Sequence, residues 1–296
     1  MKLFSEVPSV PNAFTLTSRI TLGILVALIA MSLPLAKDKL EPEQLIALHL
    51  DSIGSREVRE SVETLVAAGE AAAIPRRGGS GSVEGMGRVI SAAESGQFVI
   101  AMDFRQPSYP HERIGFDGKD AFVAQTAPGA RSPLGQILHP QNRPITEGLL
   151  GGVLTTQWAL LHAAELKPKL KYKGLKKADG EKYHVLEYKP RESSDFKINL
   201  FFEQETYRHL RTEYKLMISA GMVRLGTGNS PAEEKRITMV EVFSEFGEEG
   251  GLTLPHSYRI ELTLEQNTTL MIDWVMNFQE FQLNQPVDSS VFGIPQ

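Results

Sequence analysis

Apolar and polar side chains alternate along much of this chain. In two segments, four apolar side chains share one face of an extended strand: Phe98, Ile100, Met102 and Phe104, and Phe196, Ile198, Leu200 and Phe202. In the second segment Lys197 and Asn199 lie on the opposite face. Alternation with a period of two is typical of antiparallel strands with one buried and one exposed face.

The same period predicts further strands across the chain. They cover residues 112–116, 121–125, 171–176, 182–188, 207–218, 237–246, 254–265 and 269–281. Asp117 and Gly118 accept the positive φ angles of a tight hairpin turn. Strand mostly follows strand without a helix between them, which disfavours a parallel fold. About ten strands are expected, and a sheet of that size curls strongly.

Helices are predicted at the start of this region and in its middle. Apolar residues recur every three or four positions after Pro42 and stop at Gly54, and Ser55 caps a second short helix that ends near Leu65. Within residues 131–167, one apolar helical stripe is predicted: Leu150, Leu154, Trp158 and Leu161. A stripe this apolar must be covered, most simply by the curled sheet. The predicted fold class is α+β and mainly antiparallel β, a strongly curled half-open β-barrel covered by a few helices.

The first 36 residues differ in pattern from the rest. Residues 20–35 are almost wholly apolar, Arg19 precedes them, and Ala36 is a small residue at a possible cleavage point. This pattern predicts a secretory signal peptide, with an uncleaved membrane anchor as the alternative. We therefore expect an exported, periplasmic protein, or one anchored to the inner membrane by residues 20–36. Residues 37–296 are expected to form a single domain.

The amino-acid composition limits the kinds of functional site that the chain can form. The chain contains no cysteine, which excludes disulfides, thiolate metal ligands and a thiol nucleophile. Its net charge is −5 and it has no long basic block, so nucleic acid is not an expected partner. The seven histidines lie in different elements without metal-ligand spacing. His184 and His209 are expected to be surface residues. No catalytic constellation, metal site or cofactor motif is predicted.

Several short stretches resemble the LolA-like family of outer-membrane lipoprotein carriers. They are the helix ending at Ile53 and Gly54, the strand through Gly69, the hairpin at residues 116–123 and the C-terminal residues 286–295. The likeness follows the order of elements over most of residues 41–296. It implies a half-open antiparallel barrel that is covered by helices and encloses a cavity for acyl chains. Polar residues that gate the ligand in that family are not identified by these motifs.

Together these features predict a non-enzymatic periplasmic binding or carrier protein whose partner is a lipid or the acyl chain of a lipoprotein. The predicted apolar lining is Phe98, Ile100, Met102, Phe104, Phe196, Ile198, Leu200, Phe202 and Trp274, with Met276 and Phe278 as further candidates. Leu150, Leu154, Trp158 and Leu161 are the predicted cover.

Two other functions stay open at this point. The first is a structural or interaction module of the cell envelope that has a packed interior and contacts another envelope protein through a strand edge or residues 76–82. The second, an exported hydrolase, lacks any supporting motif. An internal cavity would favour the carrier, and a packed interior would favour the module.

Overall fold

Twelve antiparallel strands form one sheet in the computed structural model, which describes residues 40–104, 106, 111–125, 131–178, 180–218 and 234–293. The strands are β1 (Thr64–Arg77), β2 (Val83–Ala92), β3 (Gln97–Phe104), β4 (Glu112–Phe116), β5 (Ala121–Gln125), β6 (Lys169–Ala178), β7 (Glu181–Lys189), β8 (Lys197–Glu203), β9 (His209–Ile218), β10 (Lys235–Glu249), β11 (Leu252–Glu265) and β12 (Thr269–Leu283). The helices are α1 (Pro42–Ile53), α2 (Arg56–Glu60), α3 (Pro133–Leu138), α4 (Arg143–Thr146) and α5 (Ala163–Leu166), with 3-10 turns at Gly152–Leu154 and Ser289–Phe292.

The sheet is an open antiparallel meander in which the first and last strands of the domain, β1 and β12, pair with each other at its centre. Each strand pairs with the next strand along the chain, except that β5 and β6 do not pair. β1 also pairs with β12, which places β5 and β6 at the two edges. The chain between β5 and β6 therefore links opposite edges, and its apolar residues pack with the inner face of the sheet in one core. The predicted fold class is confirmed, with twelve strands where about ten were expected.

Small and large side chains are matched on the inner face where β1 meets β12. Ala73 is opposite Trp274, and Ala71 is opposite Met276. All four side chains are buried. A methyl-sized residue facing a large one fills the space between curled strands at the density that protein interiors require.

The outer face of β2 to β5 carries a second, smaller apolar cluster. Its buried members are Ile90, Val99, Phe122, Ala124 and Phe292. Phe292 comes from the C-terminal 3-10 turn, which Asp288 caps by accepting a hydrogen bond from the Ser290 amide at 2.9 Å. The C-terminal segment thus covers an apolar outer surface that the strands alone would expose.

Two predicted helical features are wrong. The second helix ends at Glu60, because Thr64 and Leu65 already belong to β1. The stripe from Leu150 to Leu161 is not one helix but a series of turns around the 3-10 turn at Gly152–Leu154. Gly151 and Gly152 have φ angles of 83° and 50°, and a right-handed helix cannot continue through positive φ.

The predicted signal or anchor segment, residues 1–36, lies outside the described residues, as do the last two residues of the family-like C-terminal motif. Among the helices of the described residues, none has both the length and the apolar composition needed to cross a membrane.

Candidate functional site

The predicted lining residues come together on the inner face of the sheet. Phe98, Ile100, Met102 and Phe104 lie on β3, Phe196 immediately precedes β8, Ile198, Leu200 and Phe202 lie on β8, and Trp274, Met276 and Phe278 lie on β12. All of them are buried and belong to one apolar core. The period-two pattern brings strands from distant parts of the chain to a shared interior because each presents one apolar face.

A segment that we call the cover, residues 132–166, packs against this face. Its Leu150, Leu154 and Trp158 side chains are fully buried in the same core, whereas Leu161 is 36% exposed at the surface. The structure therefore brings three of the four predicted cover residues against the predicted lining. With the cover in this position, the lining side chains are packed rather than open to solvent.

Polar contacts connect the cover to the rest of the domain at several places. The Gly151 amide donates to Glu241 Oε1 at 2.7 Å, and Trp158 Nε1 donates to His49 Nε2 at 2.9 Å. Tyr188 on β7 donates to Glu147 of the cover at 2.9 Å. The Ser132 amide and hydroxyl, at the start of the cover, both donate to Glu112 on β4. The cover makes these contacts through side chains and single amides, without joining the strand ladder.

Glu241 is the most completely buried carboxyl group of this interior. It accepts three hydrogen bonds, from the Gly151 amide, from Tyr258 at 2.5 Å and from Tyr214 at 2.6 Å. Burial raises the pKa of Glu241 to about 7, since the hydrogen bonds only partly offset the loss of water around the charged form. Glu241 was not among the residues predicted from the sequence, although it has the same strand parity as the apolar Met239 and Phe243.

Two buried histidines adjoin the carboxyl site. His49 on α1 donates from Nδ1 to the Tyr207 carbonyl at 3.1 Å and accepts from Trp158 at Nε2, so its ring is neutral. Burial lowers the pKa of His49 to about 3. The His209 ring stacks on Trp158 with 4.8 Å between ring centroids, and burial lowers its pKa as well.

The prediction that His184 and His209 are surface residues is wrong. A register shift between β8 and β9 places Phe201 opposite Arg211 and Phe202 opposite His209, so the inward position passes from Leu210 to His209. His184 is opposite Phe202 on the inner face, where its Nδ1 contacts the Tyr172 hydroxyl at 2.7 Å. Within the described residues, no three His, Asp or Glu side chains converge as a metal site would require.

A groove opens from the surface towards this interior. It has a volume of about 340 Å³ and lies between the α1–α2 region and the cover. Its apolar residues include Ile53, Leu65 and Trp158. Its charged and imidazole side chains are those of Arg59, Glu60, His162 and Glu165. A larger groove of about 660 Å³ lies beside Glu70, Glu84 and Asn277 at β1, β2 and β12. The smaller groove suits an amphiphile better, because a larger part of its lining is apolar and that lining includes the buried Trp158.

The domain is therefore a curled antiparallel sheet whose apolar inner face is covered by a separate segment, residues 132–166. No family model matches the chain, and no curated protein matches it in sequence. Solved structures are similar to the chain over most of its length. A LolA superfamily protein from Nitrosomonas europaea is 11% identical with a TM-score of 0.47, and the match covers 86% of this chain and 98% of that one.

Two further structures are similar. A putative outer membrane lipoprotein-sorting protein domain from Vibrio parahaemolyticus is 12% identical with a TM-score of 0.43, covering 85% of this chain and 97% of its own. A DUF1329 family protein from Desulfovibrio piger is 12% identical with a TM-score of 0.44 and the same two coverages, 85% and 97%. The first two of these structures are described as a LolA superfamily protein and a lipoprotein-sorting protein domain, and the sequence motifs resemble the same family.

Proposed function

We propose that this protein is an exported, non-enzymatic binding or carrier protein for a lipid or a lipidated protein, with the acyl chain held against the inner face of the sheet. The observation that carries the proposal is the apolar groove between α1–α2 and the cover, whose wall includes the buried Trp158. The cover residue Trp158 borders this groove but none of the predicted lining residues does, so an acyl chain that enters there reaches the lining when the cover shifts.

Burial of the acyl chain supplies the driving force. Each methylene removed from water contributes about 0.8 kcal/mol, so ten of them contribute roughly 8 kcal/mol before the costs of binding. The groove accommodates the first part of a chain, and a longer chain requires the cover to shift. The cover can shift without breaking the sheet, because it contacts the sheet through side chains and single amides rather than through a strand ladder.

The packed interior favours a second candidate function. Phe98, Ile100 and Leu200 are 0% exposed, and the cover lies against them. An envelope interaction module with a permanently filled interior would have this packing. The two functions differ in whether the cover yields to an acyl chain.

Uptake of a fluorescent fatty acid by the purified protein tests the proposal. Leu161→Asp introduces a charge at the groove, whereas Leu48→Asp is a matched control, because each leucine is 36% exposed and Leu48 lies on α1 outside the groove. We expect Leu161→Asp to weaken uptake by about tenfold or more and Leu48→Asp to leave it unchanged. No uptake by the unmodified protein, or equal loss in both variants, would contradict the proposal and favour the interaction module.

A further inference from the structure

Four lysines form a line across the outer face of four neighbouring strands. Lys169 on β6 is opposite Lys189 on β7, and Lys197 on β8 is opposite Lys215 on β9. Lys189 and Lys197 are also neighbours, since the preceding Tyr188 and the following Ile198 are opposite each other. Adjacent strands lie about 4.8 Å apart, so this lysine row spans roughly 14 Å.

The lysine row points away from the apolar core. Each lysine adjoins an inward side chain along its strand, namely Leu170, Tyr188, Ile198 and Tyr214, and all four lysines are exposed. Among the described residues, Lys215 of the row forms an ion pair with Glu213 at 3.0 Å. Lys197 also attracts the Glu187 carboxylate, whose ion-pair partner is Lys173 at 2.8 Å. Like charges directly opposite each other destabilise a sheet, so the arrangement is unfavourable for folding by itself.

Protection of a sheet edge does not explain the row. Lysines on an edge strand prevent pairing with other chains, and that role fits Lys169 on β6. It does not fit Lys189, Lys197 and Lys215, because β7, β8 and β9 are interior strands with a partner on each side. A role that needs several cations on one surface accounts for all four.

The surroundings of the row indicate the kind of partner. Met217 lies two residues beyond Lys215 on the same face of β9. It is 60% exposed, more than any other large apolar side chain of the described residues. Residues 167–182 contain seven lysines and no arginine, although the whole chain has a net charge of −5. Lysine ammonium groups are compact, hydrated point charges without the fixed fork of arginine. Lysines beside an exposed apolar side chain match the interface of an anionic bilayer, which offers phosphates above an acyl layer.

We propose that the outer face of β6 to β9 docks on an anionic phospholipid surface through the lysine row, with Met217 reaching the interface. The acidic remainder of the chain is repelled by the same surface, so the protein approaches it in one orientation. The inference depends on the outer face alone and does not require an acyl chain inside the sheet.

Vesicle co-sedimentation of the full chain tests the proposal. The ratio of binding to vesicles of equal parts phosphatidylglycerol and phosphatidylcholine over binding to phosphatidylcholine alone isolates the electrostatic contribution, because the N-terminal residues are common to every variant. Lys169→Gln, Lys189→Gln and Lys197→Gln combined should lower this ratio by about 100-fold. The matched control, Arg56→Gln, Arg77→Gln and Lys119→Gln, removes the same charge from exposed positions elsewhere and should change it by less than about threefold.

Equal loss in the two triple variants, or no preference for anionic vesicles, would overturn the proposal, and binding of an acidic protein without vesicle binding would do the same. Fatty-acid uptake by the row variant should stay unchanged, which separates this test from that of the proposed function.

A single label tests the orientation, because the chain has no cysteine. An environment-sensitive dye attached through Met217→Cys should shift to the blue on anionic vesicles, whereas the same dye at Met271→Cys on β12, where Met271 is 37% exposed, should not. Equal shifts at both positions, or none at Met217→Cys, would contradict the proposed orientation.

Discussion

Polar groups on the two faces of strands β7 to β10 have different surroundings. On the inner face, Glu241 accepts three hydrogen bonds and His184 contacts polar atoms through both ring nitrogens. On the outer face of the same strands, Lys189, Lys197 and Lys215 lie side by side. The inner polar groups hold the cover and the sheet together, whereas the three outer lysines carry like charges next to one another.

This difference distinguishes the buried polar residues, which stabilise the fold, from the exposed lysines, to which we assign binding of an anionic surface. A polar group buried without partners costs about 1–3 kcal/mol, so interior polar residues persist where they are partnered. Exposed lysines cost little each, and their repulsion is tolerated on a surface that meets an opposite charge. Substitutions on the two faces should therefore change the free energy of unfolding by different amounts and in opposite directions.

The largest effect is expected at Trp158, which joins the cover to α1. Trp158→Ala should lower the free energy of unfolding by about 4 kcal/mol, because it empties a fully buried site. Trp158→Phe keeps most of the volume but removes the donor to His49, and should cost about 1–3 kcal/mol. Urea unfolding followed by circular dichroism measures both, and a loss below about 1 kcal/mol for Trp158→Ala would show that the cover is not part of the core.

An intermediate effect is expected from the titration of Glu241. The pKa of this carboxyl is about 7 in the folded protein against 4.5 as its ordinary value, so the folded state binds the proton more tightly between these pH values. Its contribution therefore favours folding increasingly as the pH falls from 7 towards 4.5. The stability of the unmodified protein relative to Glu241→Gln should rise by about 2 kcal/mol between pH 7 and pH 5.

His49 has the opposite dependence, because its pKa is lowered to about 3 and its contribution is lost as the pH falls from 6.5 towards 3. Both proteins contain His49, so its effect cancels in the difference. A difference for Glu241→Gln that does not vary with pH would contradict the proposed titration.

The smallest effect, with the opposite sign, is expected in the lysine row. Lys197→Glu places an acidic side chain between Lys189 and Lys215 and should raise the free energy of unfolding by about 0.5 kcal/mol. The gain should shrink in about 1 M salt, where the screening length is about 3 Å. Destabilisation by this variant at low salt would mean that the lysines do not repel each other in the folded protein.

Much of the sheet could be predicted from the sequence because one face of each strand is buried. The bounds of β3, β4 and β5 agree with the alternating segments, and the apolar lining followed from the same parity. The cover could not be predicted as well. Its apolar spacing imitates a helix, but Gly151 and Gly152 adopt positive φ, so the chain turns and places the Gly151 amide on Glu241.

The buried polar groups and the lysine row could be predicted only with knowledge of the strand register. His209 faces inward only because of the register shift beside Phe202. Glu241 carried a detectable signal, an acidic residue at an apolar position of its strand. The four lysines are separated by up to 46 positions along the chain, so their alignment follows from pairing and not from any local motif.

Native mass spectrometry of the protein purified from its own envelope, followed by lipid extraction, tests the central claim most directly. The account predicts a stoichiometric acyl-bearing species that is reduced in Leu161→Asp and retained in Leu48→Asp. A mass equal to that of the protein alone, with no uptake of added fatty acid or phospholipid, would contradict it and leave a packed interaction module.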